Sequence, residues 1–131
     1  MRKWTGVRLG ERKSGKMSNY VPDRGDVVWI NFNPQAGHEQ AGWRPALILS
    51  PRSYNKPSGL ALFCPVTNSA KGYPFEVPLP NSAPVTGVVL VDQVRNMDWH
   101  AREAEFIGQL DEETVIEVVE RLKPLVEPED E

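Results

Sequence analysis

The sequence predicts a mainly β protein, a small antiparallel barrel with one C-terminal α-helix packed on it. Three observations carry that reading. Short apolar runs rich in branched side chains recur along the chain, polar segments with Gly or Pro separate them, and only the end of the chain changes to helical periodicity. Several short strands followed by a single helix fit a barrel covered on one side. At 131 residues the chain can build one hydrophobic core and is too short for two domains.

The first run, DVVWINF at 26–32, follows Pro22 and Gly25 and stops before Asn33 and Pro34, which predicts a strand. Residues 37–44 form a polar loop with two glycines, and the apolar run at 45–50 reads as a buried second strand. Arg44 stands at their junction. Pro45 biases it toward an extended backbone, a geometry that aims its side chain. Residues 51–59 read as a polar loop, and residues 60–66 as a third buried run in which Pro65 marks a strand end or a bulge. After a loop at 67–72, residues 73–79 alternate as a half-exposed strand. Residues 80–86 turn, 87–92 read as a further buried strand, and 93–108 as extended chain.

Asp111 is placed to cap a helix whose first turn carries Glu112 and Glu113, favourable at the positive end of the helix dipole. Leu110 and Val115 have the spacing of a hydrophobic staple. Val115, Val118, Val119, Leu122 and Leu125 then make an apolar stripe. Pro124 is expected to kink or end the helix in its last turn.

The net charge of −3 conceals three regions. Residues 1–16 hold six Lys or Arg against Glu11, with little apolar surface and no periodicity, and read as a disordered basic leader; the alternative is a basic arm that helps hold RNA. Met17, directly after it, is the expected natural start. Residues 17–126 form the domain, and residues 127–131 an acidic tail. The domain is itself net negative, which argues against non-specific wrapping of nucleic acid and leaves room for a local basic cleft. Cys64 is the single cysteine, and His38 and His100 are the only histidines. A disulfide within the chain is therefore excluded, and neither a metal site nor a cofactor is expected. No run approaches the roughly 18 apolar residues of a membrane span, and the N-terminus lacks an apolar signal region. A cytoplasmic protein with no membrane partner is expected.

Three polar segments flank buried strands: residues 37–44, 67–72 and 92–95. They contain no glycine-rich phosphate cradle before a helix and no Ser/His/Asp set. What they offer is Arg, Glu, Thr, Lys and Gln. That inventory suits phosphodiester chemistry without a metal, in which Arg presents a two-pronged donor to phosphate, Thr a hydroxyl and Glu a base. Each residue also has a plainer reading. Glu39 and Arg44 would make a weak exposed ion pair, Thr67 a turn hydroxyl, Lys71 a solvated loop lysine, Gln93 a strand-end amide and Trp29 a core aromatic.

Five ordered segments decide between them: YVPDRGDVVWINFNP at 20–34, GHEQAGWRPA at 37–46, PVT at 65–67, KGYPFEV at 71–77 and DQVR at 92–95. Together they resemble the MazF family of toxin endoribonucleases, which includes the PemK, Kid and ChpB toxins. The resemblance covers roughly residues 17–126. It implies an SH3-like barrel with a C-terminal helix, of the CcdB, Kid and MazF kind, working as a homodimer. It also implies metal-free cleavage of single-stranded RNA at a short sequence, leaving a 2′,3′-cyclic phosphate and a 5′-hydroxyl. A cognate MazE-like antitoxin, whose acidic tail fills the RNA site, would hold the enzyme inactive.

By the same resemblance Arg44 matches the catalytic arginine and would stabilise charge on the phosphate, Thr67 matches the catalytic threonine, and Glu39 a residue proposed as general base. Trp29, Lys71 and Gln93 fall at positions that contact RNA or shape its groove. Asn31 and Trp43 stand there too, where some relatives carry Asp and His. His38 and His100 receive no catalytic role. The rival reading is a non-enzymatic toxin on the same barrel, like the gyrase poison CcdB. Such a poison has no need of Arg44 and Thr67 at strand ends, and residues 127–131 offer no apolar surface for docking. A barrel that merely binds nucleic acid would have a more basic core.

Overall fold

Side-chain alternation along the first two strands feeds two cores at once. In a computed structural model that describes residues 19–33 and 37–129, strand β1 (Asp26–Asn31) sends Val27 and Trp29 to one side and Val28 and Ile30 to the other. Strand β2 (Trp43–Ile48) does the same with Leu47 and with Ala46 and Ile48. Burial on both faces explains why these runs are apolar throughout instead of alternating with polar residues. The larger core lies with helix α2 (Glu112–Val126), whose Val115 and Val118 join it; the smaller is closed by Phe63 and Met97, with Tyr20 and Trp99 packed against it.

Strand β3 (Leu60–Thr67) joins the two halves of the barrel. One edge pairs with β2 from Phe63 to Pro65, while the other pairs first with β6 (Arg95–Asp98) and then, at Val66 and Thr67, with β5 (Val88–Leu90). Strands β4 (Glu76–Pro78) and β7 (Glu105–Gln109) complete an all-antiparallel order β4-β5-β3-β2-β1-β7, with β6 beside β3. The expected mainly β barrel with its C-terminal helix is the observed fold.

Several expected boundaries are corrected. Residues 51–59, read as a loop, contain helix α1 (Arg52–Ser58), closed by Gly59 at φ 73°. Its one buried residue is Asn55, so there is no apolar stripe for a periodicity reading to detect. Pro65 neither ends nor bulges β3; it falls between the segments paired with β6 and β5, where that edge carries no ladder pair to break. The strand expected over 73–79 shrinks to β4, because the Glu76 carboxylate and backbone fold residues 71–75 into a turn. Residues 91–93 form a 3₁₀ turn after β5, and the extended stretch 93–108 is split into β6 and β7 by a turn.

Asp111 caps α2 by accepting from the Thr114 amide at 3.0 Å. Leu110 and Val115 are both buried, as the staple requires. Pro124 does not end the helix, which runs on to Val126, but the buried stripe stops short: Leu125 is exposed. The basic leader, Met17 and the last two residues of the acidic tail lie outside the described residues.

Candidate functional site

The site grows from the ends of β1, β2 and β3. The loop after β1 is closed by the Phe32 amide donating to the Gly42 carbonyl at 2.9 Å and by the Gly42 amide donating to Asn33 Oδ1 at 2.9 Å. Arg44 follows as the second residue of β2, paired with Ile30, and so lies inside a strand instead of at its junction. Its Nε donates to the Ala41 carbonyl at 2.9 Å, which holds the guanidinium beside its own loop. Half-burial lowers its pKa from the ordinary arginine value, and the group remains a cation.

Thr67 ends β3. The β2–β3 register, Ala46 with Pro65 and Leu47 with Cys64, sets Arg44 level with Thr67 on adjacent strands when it is continued by two residues. Thr67 is 5 % exposed, so only an edge of its side chain reaches solvent. Its Oγ1 accepts from the Ser69 amide at 3.1 Å, leaving the hydroxyl proton to donate elsewhere. Gly87 makes this placement feasible: at φ 118°, a Cβ there would lie 2.3 Å from the Thr67 carbonyl oxygen.

A cleft of about 350 Å³ opens beside Thr67, lined also by His38, Gln40, Lys71, Tyr73 and Gln93, with Glu76 and Asp92 supplying carboxylates. Gln93 Oε1 accepts from the Gln40 amide at 3.0 Å and joins the loop after β1 to the 3₁₀ turn. Of the eight candidate residues, the cleft therefore gathers Thr67, Lys71 and Gln93, with Arg44 level with Thr67 on the neighbouring strand. Glu39 is not among the lining residues; its Oε1 lies 3.9 Å from Arg95 Nη1, a loose and partly exposed pair.

Trp29 is 2 % exposed within the larger core and is not among the residues that line the cleft, the placement of a core aromatic. Trp43 is half-buried against the same core. Asn31 Oδ1 is engaged by the Asn33 amide at 2.9 Å, and its carbonyl accepts from Arg102 Nη1 at 3.0 Å. His38, Tyr73, Glu76 and Asp92 were given no role from the sequence, yet all four line the cleft. His38 and Asp92 lie in polar segments singled out from the sequence, Tyr73 follows one, and Glu76 lies within the strand expected over 73–79. What the sequence did not supply was their convergence.

Among the described residues no three His, Cys, Asp or Glu side chains come together as a metal-holding group, and no helix is long and apolar enough to cross a membrane. A second depression, near the start of α2, is lined by Asp23, Arg24, Leu110 and Ile116 among others and contains none of the candidate residues.

Residues 23–126 match the family described as the PemK-like, MazF-like toxin of type II toxin–antitoxin systems. The chain belongs to that family. It is 51 % identical over 88 residues to the endoribonuclease toxin MazF of Escherichia coli K12, which covers 67 % of this chain and 78 % of that protein. It is also 47 % identical over 110 residues to the endoribonuclease toxin ChpB of the same strain, covering 80 % of this chain and 94 % of ChpB. Among solved structures, MazF from Deinococcus radiodurans superposes with a TM-score of 0.80 at 54 % identity, covering 82 % of this chain and 98 % of that one. A MazE–MazF structure from the same organism superposes with a TM-score of 0.74 at 46 % identity, covering 85 % of this chain and the whole of its match.

Proposed function

We propose that this toxin is a sequence-specific endoribonuclease that cuts single-stranded RNA without a metal ion, as a cytoplasmic homodimer restrained by a MazE-like antitoxin. Family membership supports the activity, and what supports the site is that Arg44 and Thr67 each lie two residues beyond the last β2–β3 pair, with Thr67 in a cleft that also holds Lys71. In the proposed reaction the RNA 2′-hydroxyl attacks the adjacent phosphorus and the bond to the 5′-oxygen breaks. A 2′,3′-cyclic phosphate and a 5′-hydroxyl result, with one proton removed from the nucleophile and one delivered to the leaving oxygen. Arg44 stabilises the charge that builds on the phosphoryl oxygens, and Thr67 donates its hydroxyl proton to one of them. Glu39 takes the 2′-hydroxyl proton on its carboxylate. Bound RNA must bring Glu39 toward the cleft, away from Arg95, for that step to occur.

The test is cleavage of a single-stranded RNA by the wild type, Arg44→Ala, Thr67→Val and the double variant, with circular dichroism as a control for folding. Loss of Arg44 should lower kcat by about 10² to 10³, the scale of a lost oxyanion donor. Thr67→Val should also lower it, and the double variant should lose less than the product of the two if both act on one phosphate. EDTA should leave the wild-type rate unchanged. Full activity in a folded Arg44→Ala protein would refute the assignment, and gyrase inhibition without RNA cleavage would favour the non-enzymatic alternative.

A further inference from the structure

Tyr73 combines a largely exposed side chain with a stretch of backbone that is anchored on both sides of it. Its relative exposure is 61 %, second only to Val126 among the exposed large hydrophobic residues described, and of these it is the one that lines the cleft with Thr67 and Lys71. An aromatic ring left in water forgoes a large area of burial. Tyr54, also exposed, has a structural use, since its hydroxyl accepts from Asn96 Nδ2 at 3.0 Å.

The segment that carries Tyr73 is anchored at four consecutive residues. The amide of Lys71 donates to both Glu76 carboxylate oxygens at 3.1 Å, and that of Gly72 donates to Oε1 at 2.9 Å. The Tyr73 carbonyl accepts from the Glu76 amide at 3.1 Å, and the Pro74 carbonyl accepts from Arg121 Nη1 of α2. Glu76 is 9 % exposed, so its carboxylate sits mostly away from water with backbone amides as its partners. Gly72 supplies a φ of 77°, and Pro74 restricts the residue before it. An exposed ring on an immobilised backbone is a preorganised contact, because ordering that backbone is complete before anything binds.

From this arrangement we propose that Tyr73 is a base-stacking residue of the cleft, gripping an unpaired base beside the phosphate bound by Thr67 and Arg44, and that Glu76 is the positioning residue that holds it there. The proposal rests on the ribonuclease reading of the same cleft. Recognition of single-stranded RNA depends on splayed bases that stack on aromatic rings, and Lys71, two residues away in the same cleft, is placed to meet the neighbouring phosphate.

The experiment measures steady-state cleavage of a mixed-sequence single-stranded RNA, together with binding of a 2′-O-methyl copy that cannot be cut. Tyr73→Ala should raise KM and weaken binding by about 10- to 100-fold, the range for one lost base–aromatic stack, while kcat at saturation is retained. Tyr73→Phe should recover most of that loss. The dependence of log Kd on log salt should be the same in Tyr73→Ala as in the wild type, whereas Lys71→Ala should lower its slope by about one phosphate contact. Glu76→Ala should raise KM in the wild type but add little in the Tyr73→Ala background, and Glu76→Gln, which keeps one acceptor oxygen, should recover part of it. A wild-type KM in Tyr73→Ala would overturn the proposal, as would a Phe variant as weak as the Ala variant. Failure of the wild type to cut any RNA would overturn the underlying ribonuclease reading instead.

Discussion

Two groups of polar side chains in this molecule use similar chemistry for opposite ends. Around Asn55, whose exposure is 0 %, every side-chain group is satisfied internally. Its Nδ2 donates to the Pro22 and Ser50 carbonyls at 2.8 and 2.9 Å, and its Oδ1 accepts from Ser50 Oγ at 2.6 Å. Ser50 Oγ in turn accepts from the Leu62 amide at 2.8 Å. In the cleft, Thr67 Oγ1 has one local donor and retains a proton, while Lys71, His38 and Tyr73 face solvent. Saturation converts polar groups into stability, and spare capacity keeps them available to a ligand. The Asn55 cluster ties α1 to the end of β2 and to the segment before β1; the cleft is left with its bonds to make.

The difference is sharpest if each group is broken separately. Asn55→Ala should cost about 3 kcal/mol, because it strands two buried carbonyls and the Ser50 hydroxyl, and it should leave cleavage per folded molecule unchanged. Urea unfolding and an activity assay on the folded fraction would check this. A fall in specific activity at full folding would mean that the two regions are not independent.

Gly87→Ala tests the border between them. The added Cβ meets the Thr67 carbonyl and the backbone conformation is unfavourable, so a destabilisation of about 2 kcal/mol is expected together with a lower kcat. Stability lost with kcat intact would show that β5 does not set the position of Thr67.

The smallest effect concerns Tyr20, whose hydroxyl donates to the buried Asp26 carboxylate at 2.7 Å. Tyr20→Phe should cost about 1 kcal/mol at neutral pH. Burial first, and then the bond to Asp26, push the Tyr20 pKa well above its ordinary value. The sign follows from linkage: a raised folded pKa contributes stability that is present below the unfolded value of about 10 and is lost as pH rises above it. Wild type should therefore keep its advantage over Tyr20→Phe up to about pH 9 and lose it as pH rises past about 10, and an advantage that grew over that range would contradict the assignment.

The apolar runs at 26–32, 45–50 and 60–66 were enough to locate β1, β2 and β3, and Asp111 with its acidic first turn located α2. Branched apolar runs and helix caps act over a few residues, so they can be read locally. The ordered segments around Arg44 and Thr67 likewise pointed to the family. Helix α1 was not legible because its one buried side chain is an amide, which makes no apolar stripe and whose partner Pro22 lies 33 positions away. The role of Glu76 was hidden for a related reason, since a glutamate that alternates with apolar residues looks like the solvent face of a strand. Trp29 shows the reverse case: the sequence left open whether it faces the groove or the core, and the sheet buries it.

Local chemistry thus located the first three strands and the final helix, and the resemblance of five ordered segments supplied the catalytic candidates. Tertiary structure decided which of those candidates share a cleft. The bond between Gln40 and Gln93 spans 53 positions, and the level placement of Arg44 and Thr67 depends on a strand register set by residues deeper in the sheet. Such proximity comes from the pairing of distant segments and the burial that drives it, and no pattern within either segment encodes the distance between them.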